Sequence, residues 1–251
     1  MDRLLIVPAA GRGSRLGAQA PKALVTVGGR SMLEHLLHRH GPFVERFIVV
    51  VAPSAADAFS TFVAESSAAI DLVVQPHPTG MLDAITIASP LVSAYRPARV
   101  AVTWCDQIAV TAVTVERLAR HAMASAAALV FPTLRVDRPY IHFERDERGR
   151  IVGVRQRREG DRMPDRGEAD MGLFDLSLDA YLRDLAAFAA VAAPSSVTGE
   201  RNFLPFIPWL AERMVVETVP GVATIETVGI NTLEELAAVE AHLALEAPWT
   251  E

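Results

Sequence analysis

Residues 4–24, LLIVPAAGRGSRLGAQAPKAL, hold the side chains and spacings in this chain best suited to chemistry. Gly11, Gly13 and Gly17 mark a stretch without bulky side chains, Arg12 and Arg15 lie among them, and Pro21-Lys22 closes it. Backbone N–H groups in such a loop can approach a phosphate closely, while Arg15 and Lys22 supply fixed positive charge. Residues 1–33 carry five cations (Arg3, Arg12, Arg15, Lys22 and Arg30) and one acid, Asp2, in a chain whose formal net charge is −6. The positive charge is therefore gathered where the glycines are. Lys22 is also the one lysine among 24 basic residues. A compact, rotatable ammonium kept in an otherwise arginine-only chain points to a position where the two side chains are not interchangeable.

Such a loop needs a strand in front of it, and the apolar run Leu4-Leu5-Ile6-Val7 supplies one. Ser31-Met32-Leu33-Glu34 has the form of a capping box and predicts a helix to about residue 40. A β-branched run over 47–52, a helix over 55–65 and a strand over 70–75 follow. This alternation predicts β-α-β units in a doubly wound, mostly parallel α/β sheet with right-handed crossovers. A helix begins at Met81, with Pro90 expected to end or kink it, and a strand over 99–104 leads into Cys105-Asp106-Gln107. A helix near 113–123 and a strand over 127–132 complete the first half.

In open α/β sheets, ligands bind at the carboxyl ends of the strands, near the point where strand order reverses. Four positions meet that rule: the 9–22 loop, Gln75, Asp106 and Asn231. Asp106 and Asn231 are hard oxygen donors, suited to Mg²⁺, which takes one or two protein ligands and completes its shell with phosphates and water.

The second half changes character. Two short extended runs, 140–143 and 150–155, flank Asp146-Glu147-Arg148-Gly149 and predict a hairpin. Residues 155–170, dense in Arg, Glu and Asp, read as a solvated excursion or mobile loop. A strand over 172–176, helices over 178–190 and 203–214, an alternating extended stretch over 222–228 and a final helix over 233–245 capped by Thr232 complete the chain.

With 251 residues, half of them hydrophobic, the chain can build a sizeable core, which excludes global disorder. Its apolar runs fall short of the roughly 18 residues that span a bilayer, and the N-terminal run is too short for a signal peptide. A lone cysteine, Cys105, excludes an intrachain disulfide and predicts a reducing, cytoplasmic setting. A sequence pI of about 5.7 argues against a general nucleic-acid binder. No internal repeat is evident.

Ala9-Ala10-Gly11-Arg12-Gly13-Ser14-Arg15-Leu16 followed by Pro21-Lys22 resembles the opening motif of the nucleotidyltransferases that make nucleotide sugars from sugar 1-phosphates, a group that includes MobA-like NTP transferase domains. Gln75 with Gly80-Met81-Leu82-Asp83-Ala84 resembles their second motif, Cys105-Asp106-Gln107 the strand-end metal site, and Gly229-Ile230-Asn231 the last motif. Met81 stands where that family usually has threonine, Gln156 where a sugar-binding glutamate is common, and Asp170 where Asn-x-Gly is common; the family's usual glycine is missing around Tyr140-Ile141-His142.

The resemblance implies a Rossmann-like, GT-A-like fold in a single domain over 1–251. Residues 1–135 would form a nucleotide-binding half, 136–231 a small β-rich acceptor-binding lobe and 232–251 a C-terminal helix. It implies nucleotide contacts from Ala9, Ala10, Gly11, Gly13, Ser14, Arg15, Gln75 and Gly80, catalysis by Arg15, Lys22 and Asp106, and Mg²⁺ on Asp106 and Asn231. Glu168, Asp170, Gly172 and Glu200 would face the acceptor. Gln75, with both a donor and an acceptor, suits the edge of uracil or thymine, so UTP or dTTP is favoured. The implied partners are a nucleoside triphosphate and a sugar 1-phosphate, with no nucleic acid and no membrane.

Three alternatives stay open at this point. The opening loop also resembles cytidylyltransferases acting on methylerythritol phosphate, and Cys105-Asp106-Gln107 resembles guanylyltransferases of the molybdenum-cofactor type. A non-catalytic nucleotide-binding regulatory homologue is the third. An NAD-dependent dehydrogenase is set aside, because Gly11-Arg12-Gly13 lacks the third glycine of that fingerprint. No acetyltransferase tail is expected, as the chain ends soon after the last helix.

Overall fold

A computed structural model describes residues 2–11 and 20–246. β1 (Arg3–Pro8) is fully buried, because its alternate side chains serve two different cores. Leu4 and Ile6 enter one cluster, and Leu5 and Val7 enter the other. A short antiparallel pair, β2 (Thr26–Val27) and β3 (Arg30–Ser31), follows the loop. It leads into α1 (Met32–His40), where Ser31 and Glu34 form the expected reciprocal cap.

Next come β4 (Arg46–Val51), α2 (Ala56–Glu65) and β5 (Ile70–Val74), then α3 (Met81–Thr86), α4 (Ser89–Tyr95) and β6 (Arg99–Thr103). The helical run is interrupted just before Pro90, as expected: α3 ends at Thr86 and α4 starts at Ser89. Pro90 sits in the first turn of α4, where a missing N–H goes unnoticed. β4 and β6 run parallel to β1, and β5 runs parallel to β4. Along the sheet the order is β6-β1-β4-β5, so the chain reverses direction across the gap between β1 and β6. Helices α1 and α2 cover one face through Leu33, Leu36 and Phe59, and α3 and α4 cover the other through Leu82, Ile85 and Val92.

The second half extends the same sheet past β6. It contains α5 (Ala112–Ala124), the long β7 (Leu129–Asp137), the hairpin of β8 (Ile141–Arg145) and β9 (Ile151–Gln156), then β10 (Arg166–Asp170) and β11 (Leu173–Ser177). β11 runs antiparallel between β6 and β7, and β10 adds antiparallel to the far end of β7. A π-helical turn (Ala180–Asp184) leads into α6 (Leu185–Val191), followed by α7 (Phe206–Ala211), β12 (Val216–Pro220), parallel to β7, and α8 (Leu233–Leu243). The sheet is mixed and parallel along β6-β1-β4-β5, in keeping with the mixed, mostly parallel sheet expected.

Two expectations are corrected. Residues 155–170 are not a free excursion: β10 lies among them, and the charges are paired across elements. Gln156 N–H donates to Asp161 (2.8 Å), Asn202 donates to Glu159 (2.7 Å) and Arg155 Nε donates to Glu144 (2.8 Å). The stretch 222–228 is not extended either. Its 3-10 turn, Thr224–Thr227, forms because the fully buried Glu226 carboxylate turns back to accept from Val222 N (2.5 Å) and Ala223 N (2.9 Å). The same carboxylate accepts from Thr111 N (2.8 Å) and Oγ1 (2.6 Å) at the start of α5. The strand of that region is β12, which ends at Pro220, four residues before the turn begins at Thr224.

Candidate active site

The loop between β1 and the Lys22–Leu24 turn carries six of the expected residues, of which Gly13, Ser14 and Arg15 lie outside the described residues. At its start, Ala9 is buried and its N–H donates to Val50 O (2.7 Å), tying the loop to the end of β4. Ala10 is half-buried and Gly11 is exposed with open space around its α-carbon.

At the other end of the loop, Pro21 holds an extended backbone that starts the 3-10 turn carrying Lys22. The Lys22 ammonium donates to Asp106 Oδ2 and to Asn231 Oδ1 (2.9 Å). Two segments, 84 and 209 residues away from Lys22, thus converge on its nitrogen. They do so at the gap between β1 and β6, where the topology reverses, which is the position that favours ligand binding in such sheets.

Each oxygen is fixed by its own backbone. Asp106 O accepts from Ile230 N (3.2 Å), pinning the end of β6 to the segment before α8. Asn231 Nδ2 donates to Gly229 O (3.0 Å), which turns Oδ1 towards Lys22, and Asn231 N donates to Glu235 (2.8 Å) in the first turn of α8. Thr232 caps that helix with the expected box. The neighbouring Cys105 thiol is pushed up to about 12 by burial and then by the Asp106 charge, so it has no role as a nucleophile near neutral pH.

The donor set fits a hard divalent cation. Among the described residues no three His, Cys, Asp or Glu side chains gather to hold a metal. The protein's share here is one carboxylate and one amide oxygen meeting at a point, the small share that Mg²⁺ takes when phosphates complete its shell.

Gln75 follows β5 and is buried; its N–H continues the ladder to Val51 O (2.8 Å) and its Nε2 donates to Gly80 O (3.3 Å). Gly80 has φ +122°, and a Cβ there would lie 2.5 Å from both the backbone N and O of Arg201. That close approach, with Arg201 N donating to Thr79 O (2.8 Å), brings the segment before α7 against the Gln75 turn. Arg201 is a contact that sequence reasoning misses, because nothing local ties residue 201 to residue 80.

On the acceptor side the four expected residues separate. Gly172 (φ +59°) directly precedes β11, and any side chain there would collide with the Trp104 ring. Its carbonyl accepts from Trp104 N (2.9 Å), two residues before Asp106. Asp170 is buried and accepts from Gly172 N (2.8 Å). Glu168 lies further out, engaged by Arg145 Nε (2.7 Å), and Glu200 is held by Arg158 at 3.0 and 2.7 Å. Gln156 and Asn202 line a cavity of about 440 Å³ with Glu159, Ser195 and Phe188.

Burial pushes the Asp170 carboxyl up to about 6, against the hydrogen bond from Gly172 that pulls it down. Its folded value lies above the ordinary 3.8, so the stability tied to this group is full below pH 4 and is lost as pH rises through 6. About two pKa units correspond to about 3 kcal/mol. Asp170→Asn keeps an acceptor for Gly172 and removes the buried charge. Urea denaturation is expected to show it equal to wild type at pH 4 and more stable by up to about 3 kcal/mol at pH 8.

The profile of the MobA-like NTP transferase domain matches residues 5–170. The bifunctional protein GlmU of Pelotomaculum thermopropionicum is 26% identical over 249 residues, covering 97% of this chain and 52% of its own length. GlmU of Paracoccus denitrificans is 30% identical over 256 residues, with 97% and 53% covered. The chain spans about half the length of these curated relatives. A Bacillus anthracis structure assigned as a glucose-1-phosphate thymidylyltransferase, solved with sucrose, superposes with a TM-score of 0.77 at 17% identity, over 99% of this chain and 98% of that one. At that identity the likeness is one of fold, and it bears out the Rossmann-like nucleotidyltransferase architecture.

Proposed function

Because the chain belongs to the MobA-like NTP transferase domain family, we propose that it is a nucleotidyltransferase coupling a nucleoside triphosphate to a sugar 1-phosphate, with release of pyrophosphate. The observation that carries this reading is the meeting of Lys22, Asp106 and Asn231 at the reversal point of the sheet.

In the proposed reaction an acceptor phosphate oxygen attacks the α-phosphorus in line, a new P–O bond forms, and the bond to the β-phosphate oxygen breaks. Two anions must approach each other, so positioning and charge neutralisation are the work required. The backbone from Ala9 through Gly11, Gly13 and Ser14 holds the triphosphate, and Arg15 stabilises the leaving pyrophosphate. Lys22 bridges the α-phosphate and the acceptor phosphate. Mg²⁺ on Asp106 and Asn231 supplies further charge neutralisation for the phosphates. Gln75 Nε2 donates to Gly80 O (3.3 Å) and to Thr79 Oγ1 (3.5 Å), which leaves its carbonyl for the N3–H of uracil or thymine and favours UTP or dTTP.

Asp170, Gly172, Glu168 and Glu200 are assigned to the acceptor side. Gly172 O accepts from Trp104 N, two residues before Asp106; Glu168 and Glu200 are held by Arg145 and Arg158 and would meet the acceptor together with these arginines. No helix among the described residues is long and apolar enough to cross a membrane. The single buried cysteine fits the cytoplasmic setting we assign.

Pyrophosphate release, measured for five nucleotides against a panel of sugar 1-phosphates with Mg²⁺, tests the reading. Turnover is expected with UTP or dTTP. Turnover with CTP or GTP alone would refute the base assignment, and no turnover with any pair would favour a regulatory nucleotide-binding homologue.

A further inference from the structure

Lys22 Nζ donates at once to Asp106 Oδ2 and Asn231 Oδ1, the two oxygens assigned to the metal. We propose that in the free protein the Lys22 ammonium holds the place of the divalent cation, and that the two compete for this oxygen pair until a nucleotide phosphate draws the ammonium away. The proposal rests on the transferase reading of the same site and adds a regulation of metal entry.

The geometry makes sharing difficult. A cation at about 2.1 Å from both oxygens would stand in contact with an ammonium bonded to the same two atoms. The side chains of Lys22 and Asp106 are only 11% and 16% exposed, so little water screens the repulsion. The oxygens are the fixed partners: Asn231 is oriented by Gly229 O, and the Asp106 backbone is pinned by Ile230 N. Lys22, on a four-carbon stem with rotatable donors, is the member that moves.

Charge points the same way. With Lys22 in place, the Asp106 carboxylate is already neutralised, and among the described residues no three His, Cys, Asp or Glu side chains gather to hold a metal. The free site therefore has little attraction for a dication. A bound triphosphate changes both terms, since it offers the ammonium another anion and the metal further oxygens. Nucleotide and metal then favour each other's binding by the same factor, as linkage requires.

The test is Mn²⁺ binding to the whole protein, followed by the EPR signal of free Mn²⁺, without nucleotide for wild type, Lys22→Met, Lys22→Gln and Lys22→Met/Asp106→Asn, and with UTP for wild type and Asp106→Asn. Both single variants are expected to bind Mn²⁺ at least tenfold more tightly than wild type, and the double variant is expected to lose that gain. Two Lys22 variants guard against a folding defect in one. Equal Mn²⁺ affinity in wild type and both folded variants would overturn the competition. If Asp106→Asn also leaves Mn²⁺ binding in the presence of nucleotide unchanged, the transferase reading falls with it; if that binding is lost, only the competition falls.

Discussion

Replacing Asp106 by alanine is expected to lower the rate of pyrophosphate release by about a hundred- to a thousandfold, the loss typical of removing one preorganised charge or donor at a developing anion. The structure explains why no neighbour can substitute. Among the described residues Asp106 is the one carboxylate paired with Lys22, and Asp170 is buried, partly protonated near pH 6 and committed to Gly172 N. Lys22→Arg is expected to lose activity by a similar factor although charge is kept. The ammonium sits between two oxygens on opposite segments, and a planar guanidinium on a longer stem cannot meet both in that space. Steady-state kinetics, with urea unfolding to confirm that stability is little changed, would measure both effects. A rate within threefold of wild type for Lys22→Arg would remove the reason for linking the lone lysine to catalysis.

The second large effect concerns stability, at the opposite end of the sheet. Asp175 on β11 is fully buried and accepts from Arg3 Nε (2.5 Å) and Arg99 Nε (2.7 Å), residues that open β1 and β6. Arg99 also donates to Ala127 O (2.8 Å) and Asp175 O (2.9 Å), so this one cluster ties together the strands on both sides of the reversal point. The local field is positive. His40, 1% exposed, has its imidazole pushed down to about 3 by burial and then by Arg3 and Arg39, and stays neutral. Asp175→Asn would leave two buried guanidinium groups without a counter-charge, which costs about 3–5 kcal/mol. Urea unfolding is expected to show that loss, with Tm lower by about 6–20 °C. A loss under 1 kcal/mol would mean that water already reaches Arg3 and Arg99.

Much of the site was legible because its residues sit where local rules place them. A short apolar run before a glycine-rich stretch is a strand and its loop, Ser31 and Glu34 announce α1, and Thr232 with Glu235 announces α8. Asp106 and Asn231 could be chosen because strand ends are where open sheets bind ligands. What the sequence left hidden depends on partners far away in the chain. Gly80 needs its positive φ because Arg201 lies against it, and residue 201 carries no local mark of that contact. Glu226 breaks an alternating pattern because its carboxylate has four donors to satisfy, two of them in Thr111, more than a hundred residues away. The charge-dense stretch 155–170 read as solvated because its arginines and carboxylates pair across elements and not along the chain, as Arg145 with Glu168 and Arg158 with Glu200 show.

The most direct test is a crystal soaked with Mn²⁺ and UTP, with the ion located by its anomalous signal. The expected result is one ion at ligand distance from both Asp106 and Asn231, with Lys22 turned onto a phosphate oxygen. An ion bound elsewhere, with Lys22 still joined to Asp106 and Asn231 and the triphosphate away from residues 9–22, would contradict the assignment of this site to nucleotidyl transfer.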